Sequence, residues 1–193
     1  MSDTVLHLLA GPNGAGKSTL YSTIIGQATQ LEFVNADLIS AQLWPDDPVD
    51  KSYEAAVIAA ERRSEMIEHK VSFVTGTVFS HESKLQLVNA AMSAGYLVTL
   101  HVVLIPKALA VARVANRVKA GGHTVPENKI RERYWRLWPL VTSAIGLVGS
   151  ATVYDNSQAG TPFRVVASFE HGCVVGGPVW PAWTPQPLRK AGR

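Results

Sequence analysis

The sequence predicts an α/β fold: a mostly parallel sheet flanked on both faces by helices, three layers in all, with a basic helical lid beside it. Three observations carry that expectation. Short apolar runs alternate along the chain with helical stretches, the layer plan of a parallel sheet. A glycine-rich turn at residues 11–18 separates the first apolar run from the first helical one. The chain has 193 residues, 47% hydrophobic and 17% charged, enough for one packed domain over residues 1–193. That apolar content, with a formal net charge of only +3, excludes disorder as a class.

Thr4 to Ala10 is a short apolar run leading into Gly11, and reads as a buried strand. From Lys17 onward, Leu20, Ile24 and Ala28 recur at i, i+4 and i+8, which predicts a helix with these residues inward. Leu31 to Asp37 reads as a second strand ending in an acid, and Pro45 to Pro48 as a loop. Lys51 to Lys70 is expected to be helical with Tyr53, Val57, Ala60 and Ile67 on its inner side. Ser72 to Phe79 is strand-like, and Glu82 to Ala94 is helical with Leu85, Val88 and Met92 aligned, closed by Gly95. Leu97 to Ile105 is the most strand-like run, ended by Pro106. The basic segment 107–136 follows as two helices broken at Gly121-Gly122, then strands at Ala151 to Tyr154 and Phe163 to Phe169. A tail rich in Gly and Pro begins at Gly172, where Trp180 and Trp183 are expected to cover the core and Leu188 to Arg193 to be disordered.

A single cysteine, Cys173, excludes an internal disulfide and a cysteine-built zinc site; it reads as a small buried hydrophobe in a reducing cytoplasm. Leu137 to Tyr154 carries no charge, but Pro139, Gly146 and Gly149 suit a helix end running into a strand better than a membrane span. The start, MSDTVLHLLAG, lacks the basic residues and the long apolar core of a signal peptide, so a cytosolic protein is expected. Charge is unevenly spread. Residues 1–106 hold 6 basic and 11 acidic side chains, residues 107–136 hold 8 and 2, and residues 137–193 hold 4 and 2. The basic segment implies a polyanionic partner or a solvated helix face.

Residues 11–18, Gly11, Pro12, Asn13, Gly14, Ala15, Gly16, Lys17 and Ser18, spell a complete G-x-x-x-x-G-K-S. Glycines let the backbone N–H groups curl inward toward phosphate oxygens, and the helix that follows adds its positive end. Lys17 is expected on the β- and γ-phosphates and the Ser18 hydroxyl on Mg²⁺, with Thr19 completing the set; the cofactors implied are ATP and Mg²⁺. The strand-end acid used by motor and switch ATPases is missing from Ser72 to Phe79 and from Leu97 to Ile105. The acid that is present near the loop is Asp37. All parallel strands aim their C-terminal ends at one crevice, so Asp37 is expected to face the γ-phosphate and to accept the proton of an attacking hydroxyl. A helix N-cap for Leu38 to Leu43 is the bland reading of the same residue.

The basic segment then acquires a use as a lid that brings arginines over the transferring phosphoryl group. Arg117 and Arg133 are the candidates for that contact, whereas Arg113, Arg131 and Arg136 read as structural or solvated. His123, beside Gly121-Gly122, either touches phosphate or substrate or serves only in a hinge.

The run GPNGAGKST, the NAD at 35–37, the TGT at 75–77 and RVKAGGHTVPENKIRERYWR at 117–136 together resemble a small, compact member of the zeta toxin family of P-loop kinases, over roughly residues 5–157. The resemblance implies phosphorylation of a sugar hydroxyl of a nucleotide sugar, UDP-N-acetylglucosamine first of all, and a small antitoxin as partner. It implies Lys17 and Ser18 as phosphate and magnesium residues, Asp37 as general base, Thr77 with Ser80 at the substrate, and Arg117 with one lid arginine as charge stabilisers. Tyr154 to Ser157, including Asn156, would fold over adenine. Larger members carry Glu-Gly-Thr where this chain has Thr75-Gly76-Thr77, and Glu54 and Glu61 are the candidates for a second acidic substrate contact.

Two other readings remain. A polynucleotide 5′-hydroxyl kinase would use the basic segment to bind the strand, although only Tyr134, Trp135 and Trp138 interleave it with aromatics, and nucleic acid is therefore not the expected partner. A nucleotide-dependent binding protein without transfer would have no need of Asp37.

Overall fold

The computed structural model describes residues 3–119 and 125–192. Its centre is a seven-stranded sheet in the order β2-β3-β1-β4-β5-β6-β7. The strands are β1 (Val5–Ala10), β2 (Phe33–Val34), β3 (Phe73–Thr77), β4 (Leu97–Leu104), β5 (Ser150–Asp155), β6 (Arg164–Glu170) and β7 (Cys173–Val175). β1 lies between β3 and β4, parallel to both, and β2 and β5 extend the parallel part. β6 and β7 join antiparallel at one edge. The α/β expectation holds. Apolar runs such as Leu8, Leu9 and Ala10 on β1 and Val102, Val103 and Leu104 on β4 are fully buried because helices cover the sheet.

The helices are α1 (Lys17–Leu20), continued through a π turn at Tyr21–Ile25 into α2 (Gly26–Thr29), then α3 (Ala36–Leu43), α4 (Ser52–Glu68), α5 (Ser83–Ser93), α6 (Lys107–Lys119), α7 (Glu127–Leu147) and α8 (Gln186–Arg189). The chain passes from β1 to the sheet's edge at β2 and returns through β3, so the strand order reverses beside β1. The crevice for a ligand lies there, at the C-terminal ends of β1 and β3.

Several elements depart from the sequence reading. The π turn inserts a residue, so the inward position after Leu20 is Ile25, and Ile24 and Ala28 face solvent. Asp37 does not end a strand. β2 stops at Val34, Asn35 caps α3 by accepting N–H bonds from Asp37 (2.8 Å) and Leu38 (3.2 Å), and Asp37 sits in the first turn. On α4 the buried residues are Ala55, Ala59 and Met66, whereas Tyr53 is 77% exposed and Val57 and Ala60 also face outward. Small alanines let this helix approach its neighbours closely, and that wins over the larger apolar side chains. On α5 the inner residues are Val88 and Ala91, and Met92 is exposed.

The end of the chain also differs. Cys173 is exposed at the edge strand β7, which the sequence did not reveal. Leu188 is fully buried and Ala191 nearly so, because α8 packs on α7, and Arg189 donates to the carbonyl oxygens of Pro181 (2.9 Å) and Thr184 (3.1 Å). Residues 188–192 are therefore ordered rather than a loose tail. Trp180 and Trp183 pack on the core as expected. Among the described residues no helix is long and apolar enough to cross a membrane. The stretch Leu137 to Tyr154 is the end of α7, with Pro139 inside it, followed by β5.

A polar seam crosses the sheet. A hydrogen bond of 3.0 Å joins His7 Nδ1 to His101 Nε2, and another of 3.2 Å joins His101 Nδ1 to the Tyr154 hydroxyl. Burial, reinforced by the neighbouring His7, pushes the His101 pKa down to about 4, so the ring is neutral near pH 7.

Candidate functional site

The loop from Gly11 to Gly16 is shaped by what surrounds it. Gly11 has φ of 153°, and a Cβ there would lie 2.5 Å from the Val103 carbonyl oxygen; Gly16 has φ of 96°, and a Cβ there would lie 2.6 Å from Asn156 Nδ2. Only glycine permits both the conformation and the approach. Asn156, buried after β5, donates its side-chain amide to the Ala15 carbonyl at 2.8 Å. Arg113 on α6 donates to the Asn156 carbonyl at 3.0 Å and to the Gly14 carbonyl at 3.4 Å. These contacts clamp the loop between β4, α6 and the end of β5.

The loop forms one wall of a cavity of about 690 Å³. Asn13 to Thr19 line it, as do Asp37, Thr77, Ser80, Arg117 and Arg133, so those candidates share a single space. Pro12 and Gly11 lie at the root of the loop, where their carbonyl oxygens accept from the Lys17 ammonium at 3.0 and 2.9 Å. Asn156 supports the loop from behind, and the side-chain amide assigned to adenine is engaged with Ala15. His123 lies outside the described residues, as do Gly121 and Gly122.

Loss of water around the Lys17 ammonium pushes its pKa down to about 8; Arg117 adds to the fall, and Asp37 opposes it. The three groups are thus electrostatic neighbours. Asp37 Oδ2 stands 4.0 Å from an Arg117 guanidinium nitrogen, with side chains 68% and 43% exposed. That pair is long and solvated. Arg131 pairs with Glu127 and Arg136 with Glu132 along the surface of α7, which agrees with a structural or solvated reading. Of the three interleaved aromatics, Tyr134 and Trp138 are buried in the core, and Trp135 is exposed with the Lys107 ammonium 4.9 Å from its ring.

Cations dominate the cavity. Among the described residues, Lys17, Arg63, Lys84, Arg113, Arg117 and Arg133 line it with one carboxylate, Asp37. Arg63 and Lys84 escaped the sequence reading, because neither belongs to a motif. The face of α4 turned to the cavity, Ser52, Ala56, Ala59 and Arg63, has helical spacing, which is the signal that could have found it. Glu54 and Glu61 are not among the lining residues; Glu54 pairs with Lys51 at 2.8 Å at the surface, and Glu61 is exposed. Thr75 is buried in the sheet, its hydroxyl donating to the Val34 carbonyl at 2.8 Å, and is not among the lining residues.

The donor set fits a magnesium nucleotide. Asn13 Oδ1 is buried with no hydrogen-bond partner among the described residues, and the groups near Lys17 that could approach a cation, the Ser18 hydroxyl and the Asp37 carboxylate, are hard oxygen donors. Among the described residues no group of three or more His, Cys, Asp or Glu could hold a metal alone.

Comparison with known proteins places the chain. An uncharacterized protein of Haemophilus influenzae is 30% identical over 125 residues, 64% of this chain and 88% of that protein. Among solved structures, AvrRxo1-ORF1:-ORF2 with ATP superposes with a TM-score of 0.72 at 16% identity over 90% of this chain. The chain spans 60% of the length of that protein. A candidate kinase from Chloroflexus aurantiacus follows at a TM-score of 0.64 and 13% identity, covering 83% of this chain and 92% of that one. The PezAT toxin-antitoxin system of Streptococcus pneumoniae has a TM-score of 0.59 at 13% identity, covering 80% and 68%. At these identities the likeness shows the fold, a P-loop kinase-like sheet flanked by helices. The AAA domain family (AAA_33) matches residues 6–135, well over half of the sequence, and the chain belongs to that family.

Proposed function

We propose that this protein is a kinase that transfers the γ-phosphoryl group of Mg·ATP to a hydroxyl of a small molecule. The observation that carries the reading is the convergence of the phosphate loop, Asp37, Arg117 and Arg133 on one cavity that Thr77 and Ser80 also line.

The loop's N–H groups and Lys17 hold the β- and γ-phosphates, with the ammonium leaving the Gly11 and Pro12 carbonyl oxygens to do so. The Ser18 hydroxyl would hold Mg²⁺, which would supply neutralising charge for the triphosphate. The acceptor hydroxyl oxygen attacks the γ-phosphorus while the bond to the β-phosphate oxygen breaks, and ADP leaves with that electron pair. Asp37 takes the hydroxyl proton, so Thr77, Ser80 and Asp37 together orient the acceptor. Arg117 and Arg133 stabilise the charge spread over the three equatorial oxygens.

A nucleotide sugar of the zeta toxin kind, UDP-N-acetylglucosamine first, is the leading acceptor, and a small antitoxin is the matching protein partner. The motif resemblance supports this, together with a structural neighbour described as a toxin-antitoxin system and another solved with ATP. The test is mass analysis after incubating purified protein and Mg·ATP with nucleotide sugars, nucleosides, antibiotics and 5′-hydroxyl oligonucleotides. One phosphoryl group added to a small hydroxyl compound is the expected result. Phosphorylated oligonucleotides alone would make it a polynucleotide kinase, and tight ATP binding with no transfer to anything would make it a binding protein.

A further inference from the structure

Arg63 and Lys84 lack what cations at such positions normally have. Arg62, one residue away on the same helix, meets Glu32 at 2.8 Å and Glu65 at 3.4 Å at the surface. Arg63 turns the other way, into the cavity, and neither it nor Lys84 forms an ion pair among the described residues. Lys84 also lies in the first turn of α5, an 11-residue helix with no acid in that turn. A cation there opposes the helix dipole, so local stability does not explain it. Burial lowers the pKa of both, and Arg63 lowers that of Lys84 further, which marks two like charges drawn out of water beside each other.

Their place in the cavity separates them from the nucleotide machinery. Lys17, Arg113, Arg117 and Arg133 come from the phosphate loop and from the helices that follow β4. Arg63 and Lys84 come from the helices on either side of β3, α4 and α5, and both also line a second groove of about 330 Å³ running between those helices past Ser64 and Ser83. The two residues stand where groove and cavity meet. A ligand seated against Thr77 and Ser80 therefore finds positive charge on the side away from the lid.

We infer that Arg63 and Lys84 form an anion subsite for the acceptor, so that the molecule phosphorylated here already carries a phosphate group at a distance from its reacting hydroxyl. The inference rests on the kinase reading of the cavity. The nucleotide sugar named there already carries phosphate groups, so what is added to that reading is the two residues that bind them. A phosphate placed between the two cations relieves their mutual repulsion and gains charge-assisted hydrogen bonds in a partly desolvated setting. A neutral sugar gains nothing there.

The test separates the two layers of the proposal. Protein is first saturated with Mg²⁺ and a non-hydrolysable ATP analogue, which occupies the phosphate loop, and is then titrated calorimetrically with inorganic phosphate, glucose 1-phosphate and glucose. Expected are binding of both phosphate-bearing probes, glucose 1-phosphate the tighter, and none of glucose. Arg63→Gln and Lys84→Gln should each weaken probe binding by roughly tenfold to a hundredfold, Lys84→Arg should largely retain it, and analogue affinity should stay unchanged in all three. The melting temperatures of the Gln variants should equal or exceed that of the parent, since an unpaired desolvated charge is removed. Failure of the analogue to bind the parent protein would overturn the kinase reading itself. Saturation by the analogue with no second phosphate site, equal probe affinity in the Gln variants, or variants that melt below the parent would leave that reading standing and overturn this one. Binding of inorganic phosphate without glucose 1-phosphate would overturn the assignment to a phosphorylated acceptor.

Discussion

The two walls of the cavity are made of different material. The phosphate-loop wall is backbone, braced by the buried Asn156 side chain on Ala15, the half-buried Arg113 on Gly14 and the Val103 backbone against Gly11. The facing wall is side chain and solvent, with Asp37 and Arg117 more than 40% exposed and 4.0 Å apart. The first wall is braced by hydrogen bonds within the protein, whereas in the second Asp37 and Arg117 stand 4.0 Å apart and solvated. On the kinase reading proposed above, substrate would tighten that second wall, and a contact that forms late acts on the rate of transfer more than on binding.

Substitutions on each wall sharpen the contrast. Lys17→Ala should have the largest effect of this group, lowering nucleotide turnover by about a thousandfold through loss of one preorganised charge, with an unchanged melting temperature. Turnover near the parent's would break the assignment of the first wall. Arg117→Ala and Arg133→Ala should each lower the transfer rate by about a hundredfold and shift ATP affinity only a few fold. Arg113→Ala should do the reverse, because it leaves the Asn156 and Gly14 carbonyl oxygens without their donor. It should cost roughly 1–3 kcal/mol of stability in chemical denaturation and weaken ATP binding. Equal behaviour of all three arginines would erase the distinction between walls.

Acidity offers a gentler probe. In the ligand-free protein Lys17 has a pKa of about 8, below its ordinary value, so at pH 8 it is about half deprotonated. Phosphate oxygens favour the charged form, so Mg·ATP binding at pH 8 should take up roughly half a proton, and at pH 6.5 almost none. Calorimetry in buffers of different ionisation enthalpy reads this directly; equal uptake at both values would contradict the burial of the ammonium. The His7–His101–Tyr154 seam belongs to neither wall and should leave activity untouched. His101 titrates at about 4 in the folded chain and near 6.5 when unfolded, so the unfolded state binds more protons between those values. Stability should therefore be full above pH 6.5 and fall as the pH drops toward 4, by on the order of 3 kcal/mol. His101→Leu should flatten that slope in urea titrations at several pH values.

What could be read from the sequence follows the range over which each feature is specified. The phosphate loop is local, eight consecutive residues between a strand and a helix, and its placement was legible in full. Asp37 was legible as a position but not as an element: the Asn35 side chain ends β2 early and starts α3, so a short polar cap outweighed the apolar run before it. The inner face of α4 was misread at Tyr53, Val57 and Ala60, although Ile67 packs on the core, because Ala55 and Ala59 are buried by close approach to their neighbours, which composition does not reveal. Ile24 went outward because the π turn moved the register by one residue. Arg63 and Lys84 lie 21 positions apart and meet only because α4 and α5 flank β3, information held by the topology alone.

Asp37→Asn is the most direct trial of the central claim, that the exposed wall performs chemistry while the loop wall binds. Both quantities are measured on one preparation: Mg·ATP affinity by calorimetry and γ-phosphoryl transfer to the best acceptor by mass. The account predicts affinity within a few fold of the parent and transfer lower by roughly 10²–10⁴, the range of a general base. Collapse of ATP binding would make Asp37 part of the nucleotide wall, and transfer at the parent's rate would leave the cavity without a base; either result would contradict it.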